Sequence, residues 1–169
     1  DITDVAPTPV LLAALGPVML RLAGERTDGT ILWMADERAI ATHVVPTITT
    51  AAEGAGRRPP RIVAGIPVCL CRDDEVDIAV ARTNRVLSEA EVSPNYQRLL
   101  DHGDAREVGD LLAAGSEAMI EKRFRAFADA GVTDLSVRVV PIGDSRDERI
   151  VSSRRTRQYI SSLADSFAS

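Results

Sequence analysis

The chain has 169 residues, 45% hydrophobic and 27% charged, with aromatics at only 4%; this fits one globular domain whose small aliphatic core suits helices packed on parallel strands. A net charge of −5 excludes nucleic acid as the main partner, because phosphate binding needs a positive face. No apolar run approaches the ~20 residues of a membrane span, and residues 1–9 lack the basic start and apolar middle of a signal peptide, so a cytoplasmic, membrane-free setting is expected.

The first strand is expected at Val10 to Leu15. Pro17 fits the first turn of a helix, where its missing N–H costs nothing, and Met19, Leu22 and Ala23 fall on one helical face. Thr27-Asp28-Gly29 is a stop and turn before a second strand, Thr30 to Met34. Asp36 is a candidate N-cap for a helix carrying Ile40, Val44, Ile48, Ala51 and Ala55, which Pro46 should kink or split. The third strand, "RIVAGIPVCL" at residues 61–70, contains Pro67, which predicts a bulge or the run's end. Asp73-Asp74 opens a helix with Val76, Ala79, Val80, Thr83 and Leu87 on one face, broken at Ser93-Pro94. Residues 95–115 read as short helical pieces around Gly103, Gly109 and Gly115. Ser116 can cap the next helix, with Ile120, Phe124 and Phe127 inward and Gly131 just past its end. A fourth strand at Leu135 to Val140 precedes a last helix with Tyr159, Ile160, Leu163 and Phe167 on its apolar side.

The unit is a strand followed by a helix, four times over, which implies a parallel sheet flanked by helices. Two architectures satisfy it: an open doubly wound sheet, or half of a (β/α)8 barrel, since a whole barrel needs ~250 residues. In either, ligands meet the C-terminal strand ends.

Several residues invite chemistry, and each has a plainer reading. Gly16-Pro17 is either ordinary turn punctuation or a cradle in which a helix N-terminus offers free N–H groups to phosphate. Trp33, the only tryptophan, either stacks on a ligand ring or anchors sheet to helix. Cys69 and Cys71 would point the same way from a strand; with neither His43 nor His102 near in sequence they read as small core residues, and no metal is expected. His43 reads as a structural residue on an outer helix. Arg138 inside an apolar strand must reach a mouth or a partner. Asp36, Asp73 and Asp74 read as caps, and Arg154, Arg155 and Arg157 as a solvated helix face. The sequence has no Ser-His-Asp set, P-loop or dinucleotide fingerprint, and no general acid or base is identified.

Residues 9–34, "PVLLAALGPVMLRLAGERTDGTILWM", resemble the luciferase-like superfamily, and more narrowly its coenzyme F420-dependent oxidoreductases. "HVVPTI" at 43–48, "RIVAGIPVCL" and "FADAGVTDLSV" at 127–137 resemble it too, in the right order along nearly the whole chain. Val18 departs from the pattern, which commonly has a basic or polar residue there, and the Arg154–Arg157 cluster is unusual.

The resemblance implies the C-terminal half of a TIM barrel, strands five to eight, as a single partial domain over residues 1–169. It implies F420, or alternatively FMN, contacted by Ala13, Ala14, Leu15, Gly16, Pro17 and Met19, with Trp33, Met34 and Arg138 in the wall of a substrate pocket. The intact protein would be an oxidoreductase or monooxygenase acting on a small organic substrate, the piece alone being inactive. The alternative is a non-catalytic half-barrel or open α/β domain used for ligand binding or assembly. The strand edges are expected to be covered by a second copy, a swapped element or an N-terminal half.

Overall fold

The computed structural model describes residues 8–87 and 101–167. The break at Ser93-Pro94, and the readings for residues 1–7 and 95–100, lie outside the described residues, as does the side chain of Phe167.

Five strands form one parallel sheet: β1 (Leu11–Ala13), β2 (Gly29–Trp33), β3 (Arg61–Leu70), β4 (Ala113–Gly115) and β5 (Asp134–Val139). β1 pairs β2 from Leu11 opposite Gly29, β2 pairs β3 from Gly29 opposite Arg61, and β5 pairs β3 from Asp134 opposite Val63. The helices are α1 (Pro17–Arg26), α2 (Glu37–Ala39), α3 (Val45–Gly54), α4 (Val76–Leu87), α5 (Glu117–Asp129) and α6 (Arg146–Phe167).

β4 corrects the expectation of short helical pieces up to Gly115; among the described residues of that stretch, Val108–Leu111 is the one helical turn. Backbone parity shows where β4 lies. Arg61 N–H donates to Asp28 O and Cys71 N–H to Gly115 O, whereas Val140 N–H donates to Val68 O. Odd residues of β3 therefore face β2 and β4, and even residues face β5. β2 pairs only as far as Gly65, and β4 begins opposite Val68. Pro67 falls in the gap between them, on the side where no partner asks for its missing N–H. That is why β3 runs unbroken through Pro67, without the expected bulge or end.

Helices α1, α3, α5 and α6 pack on the even face, where Leu20, Ile48, Ile62, Ile66, Val68, Ile120 and Phe127 form the main core. In α1 the buried residues are Leu20, Ala23 and Gly24, while Met19 and Leu22 are exposed, which corrects the expected face by one position. Gly24 explains the shift: any Cβ there would collide with the α3 backbone at Ile48, so α1 turns this edge inward. Helix α2 passes into α3 through a π-turn, Ile40–Val44, that ends just before Pro46. The π-turn absorbs the hydrogen bond Pro46 cannot make, so the helix shifts register where a kink or split is expected. Gly131, with φ 101°, ends α5 as expected; Ser116 stands at its N-cap position but makes no side-chain cap bond.

A second core forms at the C-terminal strand ends. Met34, Cys69, Ala79, Leu87, Val108, Leu111, Ala114 and Val140 join α4 and the Val108–Leu111 turn to the sheet. Two buried hydroxyls tie α6 to this end: Thr156 Oγ accepts from Leu70 N–H at 3.1 Å, and Ser152 Oγ from Ile142 N–H at 3.1 Å. Arg155, expected only as part of a solvated face, donates to Leu70 O at 2.8 Å.

Candidate functional site at the strand ends

The odd face of the sheet lies opposite helices α1, α3, α5 and α6. Register places Ile31 between Ala13 and Val63, Gly65 between Trp33 and Ser136, and Pro67 beside Arg138. Trp33 is half-buried and its ring lies over Gly65; a Cβ on Gly65 would stand 2.5 Å from the indole Cε3. Glycine on the neighbouring strand is what lets the indole lie flat on the sheet. Arg138 is exposed on the same face, and no hydrogen bond or ion pair engages it among the described residues. Ile31 is 40% exposed there.

The sequence-predicted residues divide. Ala13, Trp33 and Arg138 share the odd face, and Gly16 and Pro17 stand at the strand end beside it. Ala14 and Met34 do neither: strand alternation turns Ala14 into the main core, and Met34, fully buried with φ 69°, packs in the second core behind the rim. Met19 is exposed on α1, and Leu15 is half-buried.

The β1–α1 turn presents a helix N-terminus with no side-chain cap. Leu20 N–H makes the first helical bond, to Gly16 O at 2.9 Å, so the N–H groups of Val18 and Met19 precede any intrahelical partner at the positive end of the helix dipole. Gly16 has φ −88° and ψ 160°, an extended conformation that any residue adopts, and nothing lies within 4 Å of where its Cβ would be. The glycine is required neither by the turn nor by packing.

Two histidines that sequence reasoning kept apart meet at this turn. The His43 and His102 rings stack with centroids 4.1 Å apart and planes within 5°. His43 Nε2 lies 3.3 Å from Leu15 O, to which its N–H donates. Burial and the neighbouring His102 charge hold the His43 imidazole below its usual range, against the opposing pull of the Leu15 carbonyl. His43 reaches the rim because it lies in the π-turn, and Pro46 was the available sign of an irregular turn there.

The segment carrying His102 is fastened by Asp36. One carboxylate oxygen caps α2 by accepting from Ala39 N–H at 2.8 Å; the other accepts from the N–H groups of Asp104 and Ala105 at 2.5 and 2.8 Å. Asp73, also expected as a cap, accepts from Ser116 N–H at 3.0 Å and links the β3 and β4 ends. Asp74 pairs with Arg72.

Cys69 and Cys71 are both free and buried. The Cys69 thiol beside it holds the Cys71 thiol down to about 7, while Cys71 and burial push the Cys69 thiol up. No group of three or more metal-binding side chains occurs among the described residues. Nor does any helix among them have the length and apolarity to cross a membrane.

A parallel sheet whose strands alternate with helices, with α1, α3, α5 and α6 packed on one face, is the architecture of a barrel segment. The Luciferase-like monooxygenase family model matches residues 2–134, and the chain belongs to that family. Comparison with curated proteins returns no match.

Among solved structures, the chain is similar to an F420-dependent secondary alcohol dehydrogenase in complex with an F420-acetone adduct, at TM-score 0.62 and 14% identity, covering 92% of this chain and 49% of that one. It is similar to the coenzyme F420-dependent tetrahydromethanopterin reductase of Methanopyrus kandleri, at 0.55 and 20%, covering 84% and 48%. It is also similar to the EDTA monooxygenase of Chelativorans sp. BNC1, at 0.61 and 15%, covering 94% and 45%. The chain spans about half the length of these structures. At such identities the likeness is one of fold.

Proposed function

We propose that this chain is the C-terminal half of a luciferase-like (β/α)8 barrel and supplies part of a site for coenzyme F420, with FMN as the alternative. The intact protein moves a hydride between that cofactor and a small organic substrate, or oxygenates the substrate. The redox chemistry belongs to the cofactor; the protein orients it and excludes water. The observation that carries the reading is Gly16. A glycine with nothing within 4 Å of where its Cβ would be, beside free helix N-terminal N–H groups, leaves room for a phosphate to approach the backbone. Ala13, Leu15 and Pro17 frame that approach, and Met19 flanks it. Trp33 and Arg138, on the odd face, are walls of the substrate pocket.

In the same reading, the free edges of β1 and β5 and the exposed Ile31 are covered by four further β/α units of the same polypeptide, since the matched structures are about twice this length. The test is titration of the full-length protein with F420 and with FMN, followed by fluorescence. Binding of one, weakened at least tenfold by Gly16→Val with the fold retained, is the expected result. No binding of either sinks the reading.

A further inference from the structure

The stacked histidines at the end of β1 have a property that the cofactor contact leaves unused: two titratable rings, face to face, join two remote segments. His43, half-buried in the π-turn Ile40–Val44, is fixed from its own side, because its Nε2–H donates to Leu15 O at 3.3 Å. His102 is exposed, and what engages it among the described residues is the His43 ring, 4.1 Å away between centroids and parallel within 5°. The residues after it are held separately. Asp36 accepts from the N–H groups of Asp104 and Ala105, and a Cβ on Gly103 would collide with the same carboxylate. The segment thus has one end clamped by Asp36 and another, at His102, kept against the end of β1 by the ring stack.

The charged groups around the stack leave it without a counter-charge. β1 brings the Leu15 carbonyl. From the head of α2, Asp36 is committed to three backbone N–H groups, and Arg38 to Asp104 at 2.7 Å. Asp101, next to His102, is exposed, and among the described residues no carboxylate pairs with either ring. The charge that acts on His43 is that of His102, and it opposes a second proton. Neutral rings stack favourably, whereas two imidazolium rings at this spacing repel, and each gains water by parting.

We propose that the His43–His102 stack is a pH-sensitive latch on the β1–α1 turn, closed while at most one ring is charged and opened by the second proton. On opening, His102 moves into water and His43 loses the ring that covers it, so the donor to Leu15 O is no longer fixed. Leu15 precedes Gly16, and the turn that presents the Val18 and Met19 N–H groups loosens with it. The latch stands on the ring geometry. Its consequence for a ligand, that the cofactor is held above the histidine range and released below it, rests on the proposed function and is the regulation of that site.

The test uses the full-length protein with nitrogen-labelled histidine. Ring shifts and ring-to-ring contacts are followed by NMR from about pH 8 to about pH 5, a window that spans the ordinary histidine value. Neutral His43 should carry its proton on Nε2, and the ring contacts should vanish as the second ring charges. His102→Phe keeps a ring to stack and removes its charge. His43 should then bind its proton about threefold more tightly, about half a pK unit, and the contacts should persist at low pH. His102 is exposed, so this exchange leaves the core untouched, and the parent titration needs no variant. In a second arm, the Kd for F420 or FMN should rise about fivefold or more between about pH 7.5 and about pH 5.5, the lower end of ordinary coupling between sites, and by less in His102→Phe. The latch is overturned if the two rings titrate independently, if their contacts survive with both charged, or if the cofactor binds more tightly as pH falls. Absence of cofactor binding at the higher pH overturns the proposed function instead, and the ring titration still decides the latch.

Discussion

Removing the Asp36 carboxylate should do two separable things. The side chain is 5% exposed and accepts from three backbone N–H groups, those of Ala39, Asp104 and Ala105. Loss of an N-cap costs about 1 kcal/mol, and a hydrogen bond to a charged acceptor contributes about 1.5–3 kcal/mol. Ala105 is buried, so its N–H cannot turn to water without local opening. Allowing for non-additivity within one carboxylate, Asp36→Ala should cost about 3–5 kcal/mol. Asp36→Asn keeps one acceptor oxygen and should cost about half of that. Urea unfolding, followed by helix circular dichroism and by Trp33 fluorescence, measures both. Amide hydrogen exchange adds the local readout: the Asp104 and Ala105 amides should lose protection in Asp36→Ala far more than those of β3. A loss below about 1 kcal/mol, or unchanged protection at Asp104 and Ala105, would refute the role of Asp36 as the anchor of this segment.

Other outcomes follow from the same geometry. Gly65→Val must displace the Trp33 ring from the sheet, which should shift the indole emission maximum and destabilise the fold by about 1–3 kcal/mol. Thr156→Val leaves the Leu70 N–H at the end of β3 without its acceptor and should cost about 1–3 kcal/mol in urea unfolding. His43 titrates in the fold below its unfolded value of 6.5, so the unfolded chain takes up the proton first. The His43 contribution to stability is therefore complete above pH 6.5 and is lost as pH falls from there through the folded value. His43→Gln should remove that part of the pH dependence of urea stability between pH 7.5 and 5, and an unchanged profile would count against the stacked pair.

What the sequence made legible was local. β3 matches its expected span of 61–70 because ten nearly continuous apolar or small residues admit no other reading once flanking turns are set. The inner positions of α4, among them Ala79, Thr83 and Leu87, follow from helical period alone. The Gly16-Pro17 turn is visible as a strand-to-helix junction for the same reason. What escaped depends on distant partners. Asp36 gathers N–H groups 68 and 69 residues away, and His43 meets His102 and the β1 end, pairings no local pattern encodes. β4 is only three residues long and has no period to detect. The placement of Pro67 depends on where two other strands stop and start. Alternation along β1 and β2, carried through, would have turned Ala14 away from the rim.

The gap at Pro67 also sets how this sheet can come apart. On that edge of β3 no hydrogen bond couples the ladder below the proline to the ladder above it. The base of the sheet, held by β1 and β2, can stay closed while β4, the Val108–Leu111 turn and the end of α4 open together. On that edge the short β4 ladder can open without breaking the β1–β2–β3 ladder, and only β5 spans the gap, on the other edge of β3.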